Sequence, residues 1–347
     1  MSSGRRINGQ RERKVEQAQA AFDLCVRQKR MWGKRLDATR KLFKKKVFAV
    51  DLHSHSTFSD GLGTIAENCK DAKERARLDF LFCTDHFTIA HKRSVSKIAW
   101  AGLGQESYSG GFDIGLLLPR AVHTMEETVL EGMAGARRIS DFSWIPHPVD
   151  FGDITEADLN RIAGQLGEID GLAIEVMNGY DAPTRAYPRT GVWGARLFDR
   201  LLTYGRRVTP LGVSDAHTRL EIGNAWSGVY ASECTEREIV NALNLGRCFA
   251  SEAALLDFSC NSKRMGSSLS ARAGDPLQFS VSAADADGLA SVKLISGGKV
   301  KKEYRLHGKS VYRGKIEVKA GAKKTYYRLE VTSSDDRRAF SSPIYIG

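Results

Sequence analysis

The chain has 347 residues, 42% of them hydrophobic and 27% charged, which excludes a disordered or fibrous protein and allows a large core plus a second module. No apolar run approaches the roughly eighteen residues of a membrane-spanning helix, and the opening MSSGRRINGQRERK has charge without the apolar stretch of a secretory leader. The net charge of +11 is local: residues 1–48 hold 15 Lys/Arg against 4 Asp/Glu and the remainder holds 37 of each, so high pI bears on the N-terminal arm and not on the body.

Residues 1–47 are expected to form that basic helical arm. Val15, Ala18, Phe22, Cys25, Trp32, Leu36 and Phe43 recur at three-and-four spacing, which predicts one helix over 11–46 with a single apolar stripe. Lys29 and Thr39 interrupt the stripe, against a long coiled coil. The arm should therefore pack its apolar face on the main domain or on a second copy of the chain, a route to a homo-oligomer. Recruitment of polyanions by its lysines and arginines is the competing reading.

From residue 48 to 251 short apolar strands alternate with amphipathic helices. KVFAVDLHSH, DFLFCTDH, FSWIPHP, GLAIEVMNG and VTPLGVSDAH read as strands; TIAENCKDAKERARL and the stretches 155–167 and 193–204 read as helices. EREIVNALNLGR supplies a late helix with Thr235 as its N-cap. Such alternation predicts a parallel α/β architecture, wound open or closed into a barrel. Residues 252–347 lose the helical pattern. Short alternating stretches such as LQFSVSAAD and TYYRLEVTSS, parted by Gly, Asp and Ser, predict a small all-β sandwich-like domain.

The polar residues fall at the C-terminal ends of the predicted strands, where parallel α/β folds build their sites. His53 and His55 lie two apart, so both imidazoles project to one side. Asp60 follows on a loop in which Gly61 permits a tight turn. Thr84-Asp85-His86, Pro146-His147-Pro148 and Asp215-Ala216-His217 come next. Five of the eight histidines in the chain sit at these strand ends, two beside aspartates. A single such histidine is ordinarily a solvated or capping residue, but five in register with carboxylates point to a metal site. Asp85 is read as orienting a ligand histidine from behind.

The ordered set H-x-H…S-D-G, T-D-H, H-P, I-E-V-x-N-G and S-D-x-H resembles the PHP (polymerase and histidinol phosphatase) superfamily. With Ile174–Gly179, Ser214–His217 and the trailing β-module it looks most like the CehA/McbA branch. The resemblance implies a distorted (β/α)7 PHP barrel, TIM-like, with two or three divalent ions (Zn, Mn or Fe) at the strand C-termini. His53, His55 and Asp215 would hold one ion, Asp60, His86 and His217 another, and His147 would help to hold a third. The family's bridging glutamate falls between T-D-H and H-P, where this chain shows Val122 in L-L-L-P-R-A-V-H-T-M-E-E. His123 is then the available histidine, and Glu126 or Glu127 the substitute bridge.

The implied activity is hydrolysis of a phosphodiester or phosphomonoester by a metal-activated hydroxide, with Asp215 and His217 at the catalytic centre. The substrate would be a small phosphate ester or a short oligonucleotide. Carbamate, ester or amide hydrolysis by the same chemistry is the alternative, and a metal-bearing binding module that has lost catalysis is a third reading. Arg185, Arg189 and Arg219 are candidates to grip a substrate phosphate, and Asn178 and Glu175 to line the site floor. Six scattered cysteines without a C-x-x-C pair suit reduced thiols in a cytoplasm.

Overall fold

The fold, taken from a computed structural model, is described for residues 31–149, 154–180 and 187–347. Helix α1 covers 31–43 within the described part of the arm; most of the predicted stripe lies outside the described residues. The helix stops at 43 rather than 46 because Lys44 takes a left-handed backbone, φ 60°, which ends an α-helix. Leu36 and Phe43 are buried in the same core cluster as strands of the C-terminal region, so α1 packs on the body. It is also tied there by charge. The Arg35 guanidinium donates to both carboxylate oxygens of buried Asp285 at 2.7 Å, and to Asp335.

Next come β1 (Phe48–Asp51), α2 (Ile65–Glu74), β2 (Phe80–Cys83), the one-turn α3 (Lys92–Val95), β3 (Ala101–Ser109) and β4 (Phe112–Leu117). Then α4 (Val129–Ile139), β5 (Phe142–Trp144), α5 (Glu156–Leu166), β6 (Leu172–Asn178), α6 (Tyr187–Thr203) and β7 (Val208–Val213) follow. After them stand β8 (Trp226–Val229), α7 (Glu236–Asn244) and β9 (Cys248–Ser251). Helices α2, α4 and α5 each open on a threonine that caps the third helical N–H, with an acidic residue reaching back. These capping boxes make the helix starts legible locally. The remaining strands are β10 (Leu255–Cys260), β11 (Lys263–Arg264), β12 (Ser268–Leu269), β13 (Pro276–Ser296), β14 (Lys299–Lys319), β15 (Thr325–Ser333), β16 (Arg338–Ser341) and β17 (Ile344–Ile346).

The expected helix-rich (β/α)7 barrel, TIM-like, is not what forms. The protein is mostly β, with a mixed sheet of 15 strands: twelve run β11-β10-β13-β15-β16-β9-β8-β1-β2-β3-β4-β5, β14 pairs with β13, and β17 joins β15 to β12, while β6 and β7 pair apart from it. β1–β2, β2–β3 and β6–β7 are parallel, whereas β3–β4, β4–β5, β1–β8 and β8–β9 are antiparallel. Two causes are visible. Residues 101–117 fold as a hairpin whose turn is Gly110-Gly111, at φ 58° and 87°, so no crossover helix separates those strands. And β9 pairs with β16, which carries the sheet on into the C-terminal strands. The long β13 and β14 add 21 residues each. No helix among the described residues is long and apolar enough to cross a membrane.

Candidate metal centre

The chemistry-bearing residues sit just beyond the strands, where backbone bonds continue the pairing. His55 N–H donates to the Ala216 carbonyl at 2.8 Å, Thr84 N–H to Ser54 at 2.8 Å, and Phe87 N–H to Glu106 at 2.8 Å. These bonds, with the isolated bridges Ser54↔Ala216 and His86↔Glu106, therefore align the four peptide segments that carry His55, His86, Glu106, and Asp215 with His217. Buried Asp51 takes the N–H groups of Ser214 (3.0 Å) and His53 (3.4 Å) on one oxygen, joining the end of β1 to the segment after β7. Its other oxygen has no partner, and burial pushes the carboxyl up to about 6. Asp215 and His147 hold left-handed backbone, φ 49° and 24°. Such conformations persist only where their surroundings enforce them. Gly61 is required for space: a Cβ there would lie 2.4 Å from the His55 carbonyl group, so a side chain would displace the loop that presents Asp60.

At the centre, His53 Nε2 and His55 Nε2 face each other at 3.0 Å. Glu106 Oε2 lies 3.1 Å from His53 Nε2 and 3.3 Å from His55 Nε2; Asp215 Oδ1 lies 3.3 and 3.2 Å from the same nitrogens. All four side chains are buried. Toward solvent, Asp60 stands 3.5 Å from His86 and 3.3 Å from His217, and His86 Nδ1 is 3.3 Å from Glu106. On the other flank His147 Nε2 approaches Glu106 Oε1 at 3.2 Å and Asp113 at 3.8 Å. Three donor groups result, each compact enough for one ion: His55, Asp60, His86 and His217; His53, His55, Glu106 and Asp215; and Glu106, Asp113 and His147. His55 joins the first to the second, and Glu106 the second to the third.

The donor set fits divalent metal. Two imidazole nitrogens in contact cannot both present lone pairs unless a proton or a cation lies between them, and Nδ1 of His55 is buried with no hydrogen-bond partner. Imidazole and carboxylate together suit Zn, Mn or Fe. The electrostatics give the same answer. Burial opposes charge on His53, yet Glu106, Asp215 and Glu175 outweigh it and hold the imidazole well above its ordinary range. Burial likewise opposes charge on His55, and hydrogen bonds from its imidazole to Asp215 and Glu106 lift it to about 9. Conversely, burial would raise Glu106 and Asp215, but the facing histidines, His53 foremost, hold both carboxyls low. Carboxylates that favour positive charge on these nitrogens would favour a bound cation in the same place.

The surrounding residues fix orientation. Glu175 Oε1 lies 2.8 Å from His53 Nδ1 and also takes the Trp144 indole N–H at 2.8 Å. Its Oε2 accepts from the His147 N–H and the Asn178 amide, and the Asn178 amide also donates to Asp215 Oδ2 at 3.1 Å. Glu175 and Asn178 thus floor the site and aim its ligands, the arrangement typical of carboxylate–histidine pairs behind a metal. Asp85 does otherwise than expected: it accepts from Ser56 and Ser59 and faces His91 at 3.4 Å, which orders the Asp60 loop and no centre histidine.

Seven sequence-predicted residues converge: His53, His55, Asp60, His86, His147, Asp215 and His217. His123 and Glu126 do not join the three donor groups. His123 Nδ1 bonds Ser107 at 2.7 Å and its peptide is clasped by the Gln105 amide, which braces β3 from behind. Val122 is exposed, and Glu126 gives its N–H to Ser109. The carboxylate between the T-D-H and H-P motifs is Glu106, with Asp113 beside it, and sequence reasoning missed both. A glutamate inside a buried strand, four residues before a Gly-Gly turn, was the available signal. Arg219 reaches back to Glu67 and Asp71 of α2. Arg185 and the side chain of Arg189 lie outside the described residues.

Fold and site together define a β-rich mixed α/β protein with a buried histidine–carboxylate centre able to hold metal. No protein-family model matches the chain, and no curated protein matches it. Among solved structures it is similar to the novel lesion-specific endonuclease PfuEndoQ from Pyrococcus furiosus, at 16% identity and a TM-score of 0.40 over 57% of this chain and 56% of that one. It spans about half of that endonuclease. The sulfur carrier protein SoxY from Chlorobium limicola f thiosulfatophilum matches 26% of this chain and 78% of its own at 9% identity, TM-score 0.21. The fibronectin(III)-like modules of Clostridium thermocellum CbhA match 26% and 92% at 21% identity, TM-score 0.20. Likenesses this partial assign neither family nor activity, and none supports placement in the CehA/McbA branch.

Proposed function

We propose that this protein is a metal-dependent hydrolase of phosphate esters. The reading is carried by one observation: three metal-capable donor groups abut one another, linked through His55 and Glu106. Adjacent divalent ions would acidify a bound water and neutralise charge developing on a phosphoryl group. His53, His55, Glu106 and Asp215 would hold the innermost ion, Asp60, His86 and His217 the outer one with His55, and His147 and Asp113 a third with Glu106.

The chain's own contribution is position and charge. Glu175 fixes His53 through Nδ1, so Nε2 faces the centre. Asn178 pins Asp215 Oδ2, so Oδ1 points between the two imidazoles. Asp60 and His86 are the most exposed members, with His217 partly so, and this supports a substrate approach and any proton exchange with solvent on their side, with Tyr180 set edge-on to His217 at 4.8 Å between ring centroids. With metal held by these residues, an anionic ester would be met by positive charge and not by bare carboxylates.

The test reloads chelator-treated protein with Zn, Mn or Fe and compares turnover of an aryl phosphomonoester, an aryl phosphodiester and an aryl carboxylic ester. Phosphoester turnover should appear with metal and vanish in His55→Ala and Asp215→Ala, with metal content falling in parallel and the circular dichroism spectrum unchanged. Phosphoester turnover equal to wild type in both variants, or cleavage of the carboxylic ester alone, rejects the assignment.

A further inference from the structure

The basic arm and the C-terminal strands meet on a surface away from the metal centre. The sheet β11-β10-β13-β14 buries one face, through Phe258, Phe279, Val281 and Ile316. The opposite face is set by register. Lys315 lies opposite Ser280, Ser280 opposite Ser259, and Ser259 opposite Arg264. Directly paired residues point to the same side of a sheet, so the four form one transverse row of cation, hydroxyl, hydroxyl and cation. With strands about 4.8 Å apart, that row spans roughly 14 Å. The adjoining row holds Arg313, Ser282 and Asp257.

Helix α1 closes the end of this face. Arg313 donates to the Leu42 carbonyl at 3.0 Å, and Lys45 pairs with Asp257, which neutralises the acidic member of the second row. Lys41 and Lys44 stand on the same helical end, exposed. Farther along β14, Glu317 is engaged by Gln278, and Lys319 follows. Lys315, Lys319 and Arg264 are exposed and have no carboxylate partner among the described residues.

We propose that this face binds the phosphate backbone of a nucleic acid. Lysines and arginines alternating with serine hydroxyls in fixed rows supply both the charge and the hydrogen-bond donors that phosphate and sugar oxygens take. Lysine on an edge strand is also a common guard against edge-to-edge pairing, but that role needs nothing on β10, β13 or α1. An anionic membrane would attract the same cations but makes no use of serine hydroxyls fixed in rows between them, and Val300, the exposed large hydrophobic of β14, lies outside these rows. The surface goes beyond the proposed esterase and does not depend on its metal.

Binding is measured by fluorescence anisotropy on the full chain with labelled single-stranded and duplex oligonucleotides of about 20 nucleotides, in chelator so that no turnover intrudes. The R264Q/K315Q pair should weaken binding at least tenfold and lower the slope of log K against log salt by about 1.4 for single strands. R264K/K315R should bind like wild type, and both pairs should keep metal-dependent phosphoester turnover on a small substrate. Equal affinity of R264Q/K315Q and wild type, or binding to phosphatidylserine vesicles in place of oligonucleotide, overturns the proposal. Loss of esterase activity with oligonucleotide binding intact rejects the enzymatic reading alone.

Discussion

Glu106→Gln is the sharpest perturbation of the centre, because it preserves shape and removes one charge from a residue shared by two donor groups. Its Oε2 lies within 3.3 Å of nitrogens on His53, His55 and His86, and its Oε1 3.2 Å from His147. At an effective dielectric of about 20, one unit charge pair near 4 Å is worth about 4 kcal/mol, close to three powers of ten in an equilibrium constant. A divalent ion feels at least that loss, and the new amide aims a donor where a ligand atom was. Metal affinity should therefore fall by about 10³-fold or more, with turnover lost alongside it. The backbone of Glu106 is held in β3 and the side chain is isosteric, so the fold should persist, although metal-free protein should melt below wild type at neutral pH because His53 and His55 lose a carboxylate that holds them charged. The assay is metal stoichiometry by mass spectrometry after dialysis, beside turnover at saturating metal. Wild-type stoichiometry together with turnover within about threefold of wild type would refute the shared-carboxylate reasoning.

Two other outcomes follow from the geometry. Arg35→Ala leaves Asp285 buried without its bidentate partner, a loss of about 3–5 kcal/mol for a broken buried pair, seen as a lower unfolding midpoint in urea; a change under about 0.5 kcal/mol would show that the pair contributes little. The pH behaviour should invert with metal. His55 titrates near 9 in the folded chain, above its unfolded value, so its contribution of about 3 kcal/mol is complete below pH 6.5 and is lost as pH rises through 9. Chelated protein should thus melt lower at pH 9.5 than at 6.5. The metal-induced gain in melting temperature should grow over the same interval, since ligands must shed protons to bind. A metal-induced gain that shrinks with rising pH contradicts the assignment of His55.

The site was more legible than the fold. His53 and His55 announce themselves by two-residue spacing at the end of an apolar run, and His86, His147, Asp215 and His217 by sitting where such runs stop. Those are local signals, set by a strand's alternation and by where it ends. Glu106 had no such signal, because Ala101–Ser109 is a Gly-rich strand in a hairpin, and pairing partners lie outside any local window. His123 was drawn into the ligand set because it is a histidine in the right interval; its neighbours, Ser107 and Gln105, were not foreseeable. The expected barrel failed for the same reason. Amphipathic helices were recognised, yet whether neighbouring strands run parallel, and whether β9 meets β16, depends on contacts between distant segments.

By itself, the sequence determined the capped helices, the apolar strands and the histidine–aspartate motifs at their ends, all of which follow from bonding and periodicity within a few residues. Tertiary structure alone decided that Glu106 would stand among four histidines, that Glu175 would aim His53, and that α1 would lock onto Asp285 through Arg35. Each of these brings together groups remote along the chain, and only the burial of apolar faces against one another selects which remote groups meet.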